Sequence, residues 1–520
     1  QERGRVQMER RLPIGIQSFE KLRRDGYLYV DKTALVWRLV QTSTPYFLSR
    51  PRRFGKSLLL STIRAYFEGK RELFCGLAIE GLVARNADGW QARPVFYLDF
   101  NGQDYTTVDL SYVLSSQLRR WEEAWGTDGS RLTLGDRFFS LIELAHLRSG
   151  HRCVVLVDEY DKPLLETSHD HVLGERNRAL LKGFLSVLKK ADEHLRFVMV
   201  SGVTSGLNQL NDISLSREYA TLCGVTEDEL LATFGPEIDA MAQTMGDSRE
   251  ACLAALRTQY DGYRFHAVGP GVYNPFSLLK ALLDHSLGSY WFETGTPSFL
   301  AQRMKEAELN PKRLTDGSIY ATERRLSDYR ANDPDPVPLL FQTGYLTIRS
   351  LEPRSRRYTL SVPNAEVLYG LEESLLPSWA PGYSESRGTD VFALWDLVEA
   401  GDTDGIRKVI EALFASIPYT RADDPFENYF QAVLWLVFSL LGRYVSVELR
   451  QATGRVDCVI EAKAHVYLIE FKRDGTAAEA LEQIESRGYA TPFLADSRQL
   501  HKLGCSFSSK TRLLADWAEG

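Results

Sequence analysis

Tyr46–Phe67 reads YFLSRPRRFGKSLLLSTIRAYF, and its centre, Arg50–Ser57, decides how the N-terminal half is read. Gly55, Lys56 and Ser57 are the last three positions of a phosphate-binding loop. The apolar stretch Tyr46–Leu48 precedes them as a short strand. Leu58, Leu59, Leu60, Ile63, Tyr66 and Phe67 follow at helical spacing. Strand, loop and helix in that order separate a phosphate loop from a chance match. In such a loop, backbone N–H groups and the positive end of the helix hold phosphates. Lys56 then reaches the β- and γ-phosphates, and the Ser57 hydroxyl holds Mg2+. Arg50 stands where the pattern usually has its first glycine, and Pro51 biases it towards extended backbone. Arg52 and Arg53, inside the loop, are candidates to neutralise phosphate charge; solvated surface arginines are the alternative reading.

The acidic half of a nucleotide site follows downstream in CVVLVDEYD, Cys153–Asp161. An apolar strand ending in carboxylates is what metal coordination beside a phosphate loop requires. Asp158 is the candidate metal ligand, and Glu159 the candidate to orient or deprotonate water. The strand Arg196–Ser201 ends in Ser201, with Thr204 just beyond. Either could sense a γ-phosphate or be a plain strand-end hydroxyl. Asp99 could face the same crevice or cap a helix, and Arg264 is a candidate sensor from a helical lid.

The 520 residues suffice for two or three domains. A net charge of −7 excludes a global basic field, so nucleic-acid binding would need a local patch. Six scattered cysteines without a CxxC pair argue for reduced thiols rather than zinc or a disulfide framework. The apolar run Ala432–Leu441 is too short to cross a bilayer, and the charged start QERGRVQMERR has no signal-peptide core. The expected setting is cytoplasmic, without membrane contact. Strand-like and helix-like stretches alternate to residue 215, which implies a parallel sheet covered on both faces. Val225–Gly288 reads as helical, and residues 290–365 as mixed. The Pro/Gly-rich stretch Pro377–Gly388 suggests a linker, placed at 371–395. From Phe426 a second alternation begins: helix, three strands, helix, then a final strand and helix.

That second alternation carries RVDCVIEAKAHVYLIEFK. If its hairpin turns at Ala462–His465, Asp457 sits directly opposite Glu470, and Glu470 and Lys472 share a face. Two facing carboxylates repel unless something positive lies between them. Mg2+ or Mn2+, hard cations that prefer oxygen, are the natural candidates. Lys472 could position water or stabilise developing charge. Glu427 on the preceding helix could add a ligand or merely suit the helix dipole. Gln483 on the following helix could hold the site or a phosphate, with Tyr489 beyond it. Glu448 is a weaker candidate, and His465 at the turn is expected to be solvated. A surface salt-bridge cluster is the alternative reading of Asp457, Glu470 and Lys472.

Together these pieces resemble a bacterial family that joins an AAA-ATPase-like N-terminal domain to a C-terminal PD-(D/E)XK nuclease-superfamily domain. The resemblance rests on LPIGIQSFEKL, YLYVDKTALV, FLSRPRRFGKSLL, VLVDEYDKPL, DISLSREYATLCGVTEDEL, YDGYRF, YNPFSLL, YWFETGTPSFL, LLFQTGYLTI, GRVDCVI and YLIEFK. It implies an α/β chain with an AAA-like P-loop core over 1–215 and a helical lid and accessory region over 216–370. Beyond the linker it implies a restriction-endonuclease-like αβββαβ domain over 396–520. It implies Lys56, Ser57, Asp158 and Glu159 at the ATP site, and Asp457, Glu470, Lys472, Glu427 and Gln483 at the nuclease site. ATP and Mg2+ are the implied cofactors, with Mn2+ an option at the nuclease site. Nucleic acid is the implied partner, DNA ahead of RNA, and AAA-like domains often form homo-oligomers. After Thr204 the chain is shorter than the family pattern, running straight into Ser205–Asn208. The expected function is an ATPase controlling a metal-dependent nuclease. The alternative is an ATP-driven switch or scaffold whose C-terminal domain only binds nucleic acid or protein.

Overall fold

The computed structural model describes residues 10–84, 89–127, 129, 133–167, 170–204, 210–292, 298–327, 334–417, 426–449 and 456–520. The chain forms two compact units, Gln1–Glu293 with Ile319–Glu366, and Thr294–Ser318 with Val367–Gly520.

The first unit is built on β1 (Tyr46–Ser49), β2 (Val95–Asp99), β3 (Cys153–Asp158), β4 (Leu195–Gly202) and β5 (Asn211–Asp212). Their order is β2-β3-β4-β1-β5, and every neighbouring pair is parallel. Every residue of β3 is buried, as a strand covered on both faces requires. Helices Leu110–Trp125, Leu134–Ser149 and His171–Lys190 bring Leu114, Leu118, Ile142 and Phe184 against Phe96, Val155 and Val198 of the sheet. The helix Leu134–Ser149 has no counterpart in the sequence reading. It begins at Thr133, whose side chain accepts from Asp136 N, and ends at left-handed Gly150. On the other face, Phe67 of helix Lys56–Phe67 packs its ring 5.4 Å from that of Phe197.

A helical layer follows the sheet: Glu227–Met245, Arg249–Tyr260 and Pro275–Asp284. Leu230, Phe234, Ile238, Leu256, Tyr260 and Leu278 form its core. The first of these helices kinks at Phe234, two residues before Pro236, where the ring cannot continue the backbone ladder. The N-terminal residues Leu12, Ile14, Leu28 and Val30 pack on this layer. A small antiparallel sheet completes the unit, formed by β6 (Ile319–Thr322), β7 (Thr347–Glu352) and β8 (Arg357–Ser361) in the order β6-β8-β7.

The second unit contains β9 (Ser446–Leu449), β10 (Cys458–Glu461), β11 (His465–Arg473), β12 (Gln499–Phe507) and β13 (Leu514–Glu519) in the order β13-β12-β11-β10-β9. The β10–β11 hairpin has the register expected from its turn, with Cys458 opposite Ile469 and Glu461 opposite Val466. One face packs on helix Ala477–Ser486 through Val459, Val466, Leu468 and Ile484. The other faces helix Phe426–Leu441, where the Phe438 and Phe471 rings lie 6.3 Å apart. The helix expected after the final strand is not there. Leu514–Glu519 is instead β13, antiparallel to β12 with Trp517 opposite Cys505. Pairing with an existing edge overrides the helical leaning of Leu, Ala and Glu in that stretch. The stretch 371–395 contains the end of helix Ala365–Trp379, a 3-10 turn at Glu385–Arg387 and the start of helix Val391–Ala400.

All six cysteines are free, and five are buried. No described helix is long and apolar enough to cross a membrane.

Candidate active sites

The phosphate loop begins where β1 ends. Gly55 caps helix Lys56–Phe67 at φ 91°, a left-handed conformation that glycine adopts without steric cost. Lys56 is buried, and its Nζ donates to Arg50 O at 3.1 Å and Pro51 O at 3.2 Å. Nζ also lies 3.2 Å from Glu159 Oε1. Glu159 itself has φ 52°, a region that L residues rarely occupy and that concentrates at functional sites. Because β4 lies between β1 and β3, its C-terminal end lies between the loop and the acidic strand. There Ser201 Oγ donates to Asp158 Oδ1 at 2.8 Å, and the Tyr97 hydroxyl reaches Asp158 Oδ2 at 3.3 Å. Burial raises the Asp158 carboxyl above its ordinary range, while hydrogen bonds from Ser57 and Ser201 pull it back. Ser57 and Asp158 are thus in hydrogen-bond contact, which brings the start of helix Lys56–Phe67 to the end of β3.

The loop's arginines divide by role. Arg50 is 1% exposed. Its guanidinium donates to the carbonyls of Ser49, Ser214 and Tyr219 and stacks 4.0 Å above the Phe265 ring. Burial lowers it to about 10. Arg53, at φ 66°, lies 3.7 Å over the Phe276 ring. Arg52 is exposed.

A cavity of about 350 Å³ opens beside the loop, lined by Arg53, Lys56, Ser57 and Glu159 on its polar side. Its far wall is apolar: Pro13, Ile16, Leu28, Val225, Phe276 and Leu279. Lys32, also on the wall, donates to Thr221 O at 2.8 Å and pairs with Glu229 at 2.6 Å.

In the second unit, Asp457 precedes β10 and meets Glu470 of β11. The Phe471 N–H donates to Asp457 Oδ2 at 2.9 Å, and the Asp457 N–H to Glu470 Oε2 at 3.2 Å. Gln483 bridges the remaining pair: its amide N–H donates to Glu470 Oε1, and its carbonyl accepts from Lys472 Nζ. Lys472 Nζ is 3.7 Å from Glu470 Oε1. Helix Ala477–Ser486 is held in place to do this by a capping box between Thr476 and Glu479. Glu470 is only 2% exposed. Burial pushes its carboxyl to about 7, and the Asp457 charge pushes in the same direction. Burial also raises Asp457, against the Phe471 N–H and Lys472.

Residues 13–209 match the family described as a predicted AAA-ATPase, and residues 425–517 match the PD-(D/E)XK nuclease superfamily. A protein of Azotobacter chroococcum mcd 1, described as an uncharacterized protein in the vnfD 5'region, is 38% identical over 525 residues and covers 97% of each chain. The chain belongs to this AAA-ATPase-like, PD-(D/E)XK family.

Within this family member, Gly55, Lys56, Ser57, Asp158, Glu159 and Ser201 gather at the end of one parallel sheet. Asp457, Glu470 and Lys472 gather on the mixed sheet of the second unit, with Gln483 reaching them from helix Ala477–Ser486. Other candidates fall elsewhere. The Thr204 hydroxyl is bound to Asp161 Oδ2 at 2.6 Å, and this buried carboxylate also takes the N–H groups of Val203 and Thr204. Asp99 is exposed and accepts from Asn101 N at 2.8 Å. Arg264 is not among the residues lining the cavity; its backbone N–H donates to Thr347 Oγ1 at 2.7 Å. Glu448 is exposed on β9, opposite Val459. Glu427 lies in the first turn of helix Phe426–Leu441, with its side chain outside the described residues, as is the shortened stretch Ser205–Asn208. His465, expected in solvent, is half-buried, its Nδ1 3.0 Å from His501 Nε2. The apolar cavity wall and Asp161 were not singled out in the sequence. The wall's residues come from separate segments with no shared motif, whereas Asp161 was within reach as the third acid of VDEYD.

Proposed function

We propose that the chain binds and hydrolyses ATP and that its nucleotide site controls a Mg2+-dependent nuclease in the second unit. The observation that carries this reading is Glu470: a buried carboxylate beside Asp457, bracketed by Lys472 and Gln483, and pushed to about 7. Such an arrangement has little use as a surface ion-pair cluster, because burial costs more than exposed pairing returns.

The donors suit a hard divalent cation. Asp457 and Glu470 offer only oxygen, and among the described residues no group of three or more His, Cys, Asp or Glu could hold a metal. A cation there would complete its shell with water and substrate oxygens, as Mg2+ does in phosphate chemistry. When bound, it supplies a polarised phosphodiester and a water of lowered pKa. Lys472, oriented by Gln483, would place that water or offset charge developing on phosphorus.

At the nucleotide site, Lys56 would exchange the Arg50 and Pro51 carbonyls for phosphate oxygens. Ser57 and Asp158 would hold the accompanying Mg2+, and Glu159 would orient the attacking water. Arg52 and Arg53 would offset phosphate charge. The wall of Pro13, Ile16, Leu28, Val225, Phe276 and Leu279 suits a purine base.

The test is a cleavage panel of single- and double-stranded DNA and RNA with Mg2+ or Mn2+, with and without ATP. Wild type should cut, DNA foremost, in a nucleotide-dependent way, and Asp457→Ala should not. Equal cleavage by both would remove the nuclease assignment.

A further inference from the structure

The small sheet of the first unit carries chemistry that neither candidate site uses. Between β6 and β7 the chain inserts helices Glu323–Ser327 and Val337–Thr343, and β7 returns through a hairpin to β8, which pairs in the middle. Strand, two helices and a hairpin follow in that order, and the β7–β8 hairpin forms a wing at the edge of the sheet. Fold alone assigns no role, and the second helix is closed to a groove, since Val337, Pro338, Leu339, Leu340 and Gln342 are buried. The wing is open. Glu352–Arg357, sequence EPRSRR, is exposed throughout.

Charge concentrates at this tip. Arg349 is engaged with Ser361 Oγ and Val362 O at 2.5 Å, and the partly exposed Arg325 pairs with Asp335 at 2.7 Å. Arg354, Arg356 and Arg357 are exposed, as is Arg324, which shares a surface recess with Arg356. Arg356 reaches Glu323 at 2.8 Å, but its side chain is still 76% exposed, so that pair binds weakly in water. Arg357 lies 4.3 Å over the ring of Tyr320. Tyr320 projects from the outer face of β6, 47% exposed, between the inward residues Ile319 and Ala321. A planar aromatic beside clustered guanidinium groups is what binds a polyanion with stackable bases. In a chain of net charge −7 the patch is local.

We propose that the β7–β8 wing, through Arg354, Arg356 and Arg357 with Tyr320, is a nucleic-acid contact that holds phosphates without reading sequence. It rests on the nuclease reading only in naming nucleic acid as the ligand class. Full-length chain in EDTA, where nothing is cut, is titrated against fluorescein-labelled duplex DNA, its single strand and the matching RNA across a salt series. The R354A/R356A/R357A variant should bind at least about tenfold more weakly, with the slope of log affinity against log salt shallower by about two to three. Tyr320→Ala should weaken the single strand more than the duplex, and Tyr320→Phe should restore it. Melting temperature and ATP affinity report that the variants are folded. Unchanged affinity and slope in the triple variant overturn the proposal, as does wing-dependent capture of polyglutamate with wing-independent binding of nucleic acid. A wild-type chain that binds through the wing yet cuts nothing with Mg2+ fails the nuclease reading alone. A chain that cuts, with its triple variant binding at full strength, fails this proposal alone.

Discussion

Pro51 of the phosphate loop packs directly on Gly344: a Cβ at Gly344 would lie 2.7 Å from Pro51 Cβ and 2.8 Å from its Cγ. Gly344 ends helix Val337–Thr343 at φ 92°. The Arg50–Ser57 loop and the helix that leads into β7 thus meet with no room between them.

Gly344→Ala should therefore disturb the loop as well as the helix end. Left-handed backbone costs an alanine about 1 kcal/mol, and displacing the proline ring adds about 1–3 kcal/mol. Gly246, also a left-handed helix end but with nothing within 4 Å, is the control. Denaturant unfolding should rank Gly344→Ala well below Gly246→Ala, and calorimetry should show weakened ATP binding only in the former. Equal losses would mean that the contact carries no load.

Lys56→Ala removes a buried cation held by two loop carbonyls and Glu159. Truncating one member of a buried charge pair costs about 2–5 kcal/mol. On the proposed role, ATP affinity falls by about 100-fold or more by calorimetry. Wild-type affinity in the variant would remove Lys56 from the phosphate contacts, and no ATP binding by wild type would make the first unit a scaffold.

Gln483→Ala leaves Glu470 and Lys472 in place but removes the amide that spaces them. Outer partners of metal-binding carboxylates contribute about 10–100-fold in affinity or activity. The Mg2+ concentration for half-maximal cleavage should rise, and the rate at saturating Mg2+ should fall. A change in melting temperature without either effect would reduce Gln483 to a packing role.

Glu470 also makes stability depend on pH. Its folded pKa, about 7, stands above the ordinary 4.5, so the folded chain holds the proton more tightly than the unfolded one. That contribution is complete below 4.5 and is lost as pH rises through 7. Metal-free chain should lose stability across that window, Glu470→Gln should flatten the loss, and Mg2+ should offset it near neutrality. A flat profile for wild type would remove Glu470 as a proton-holding group.

What the sequence disclosed was what neighbours along the chain decide. The strand at Tyr46–Ser49, the helix at Lys56–Phe67 and the β10–β11 register follow from local periodicity and a short turn, so Asp457 and Glu470 could be set opposite one another beforehand. The apolar cavity wall could not be read, because Pro13, Val225 and Phe276 meet only after the sheet and helical layer assemble. The strand β13 was hidden for the converse reason: LADWAE prefers a helix in isolation, and only the edge of β12 makes it extended.

Arg50 alters what the letters of a motif mean. A chain with glycine at this position would match the common phosphate-loop pattern better and hold its loop worse. Three carbonyls, at Ser49, Ser214 and Tyr219, and the face of Phe265 would lose the guanidinium that joins them. In the usual loop the first position is a joint. Here it is a rivet through three segments, and restoring the consensus would be the damaging mutation.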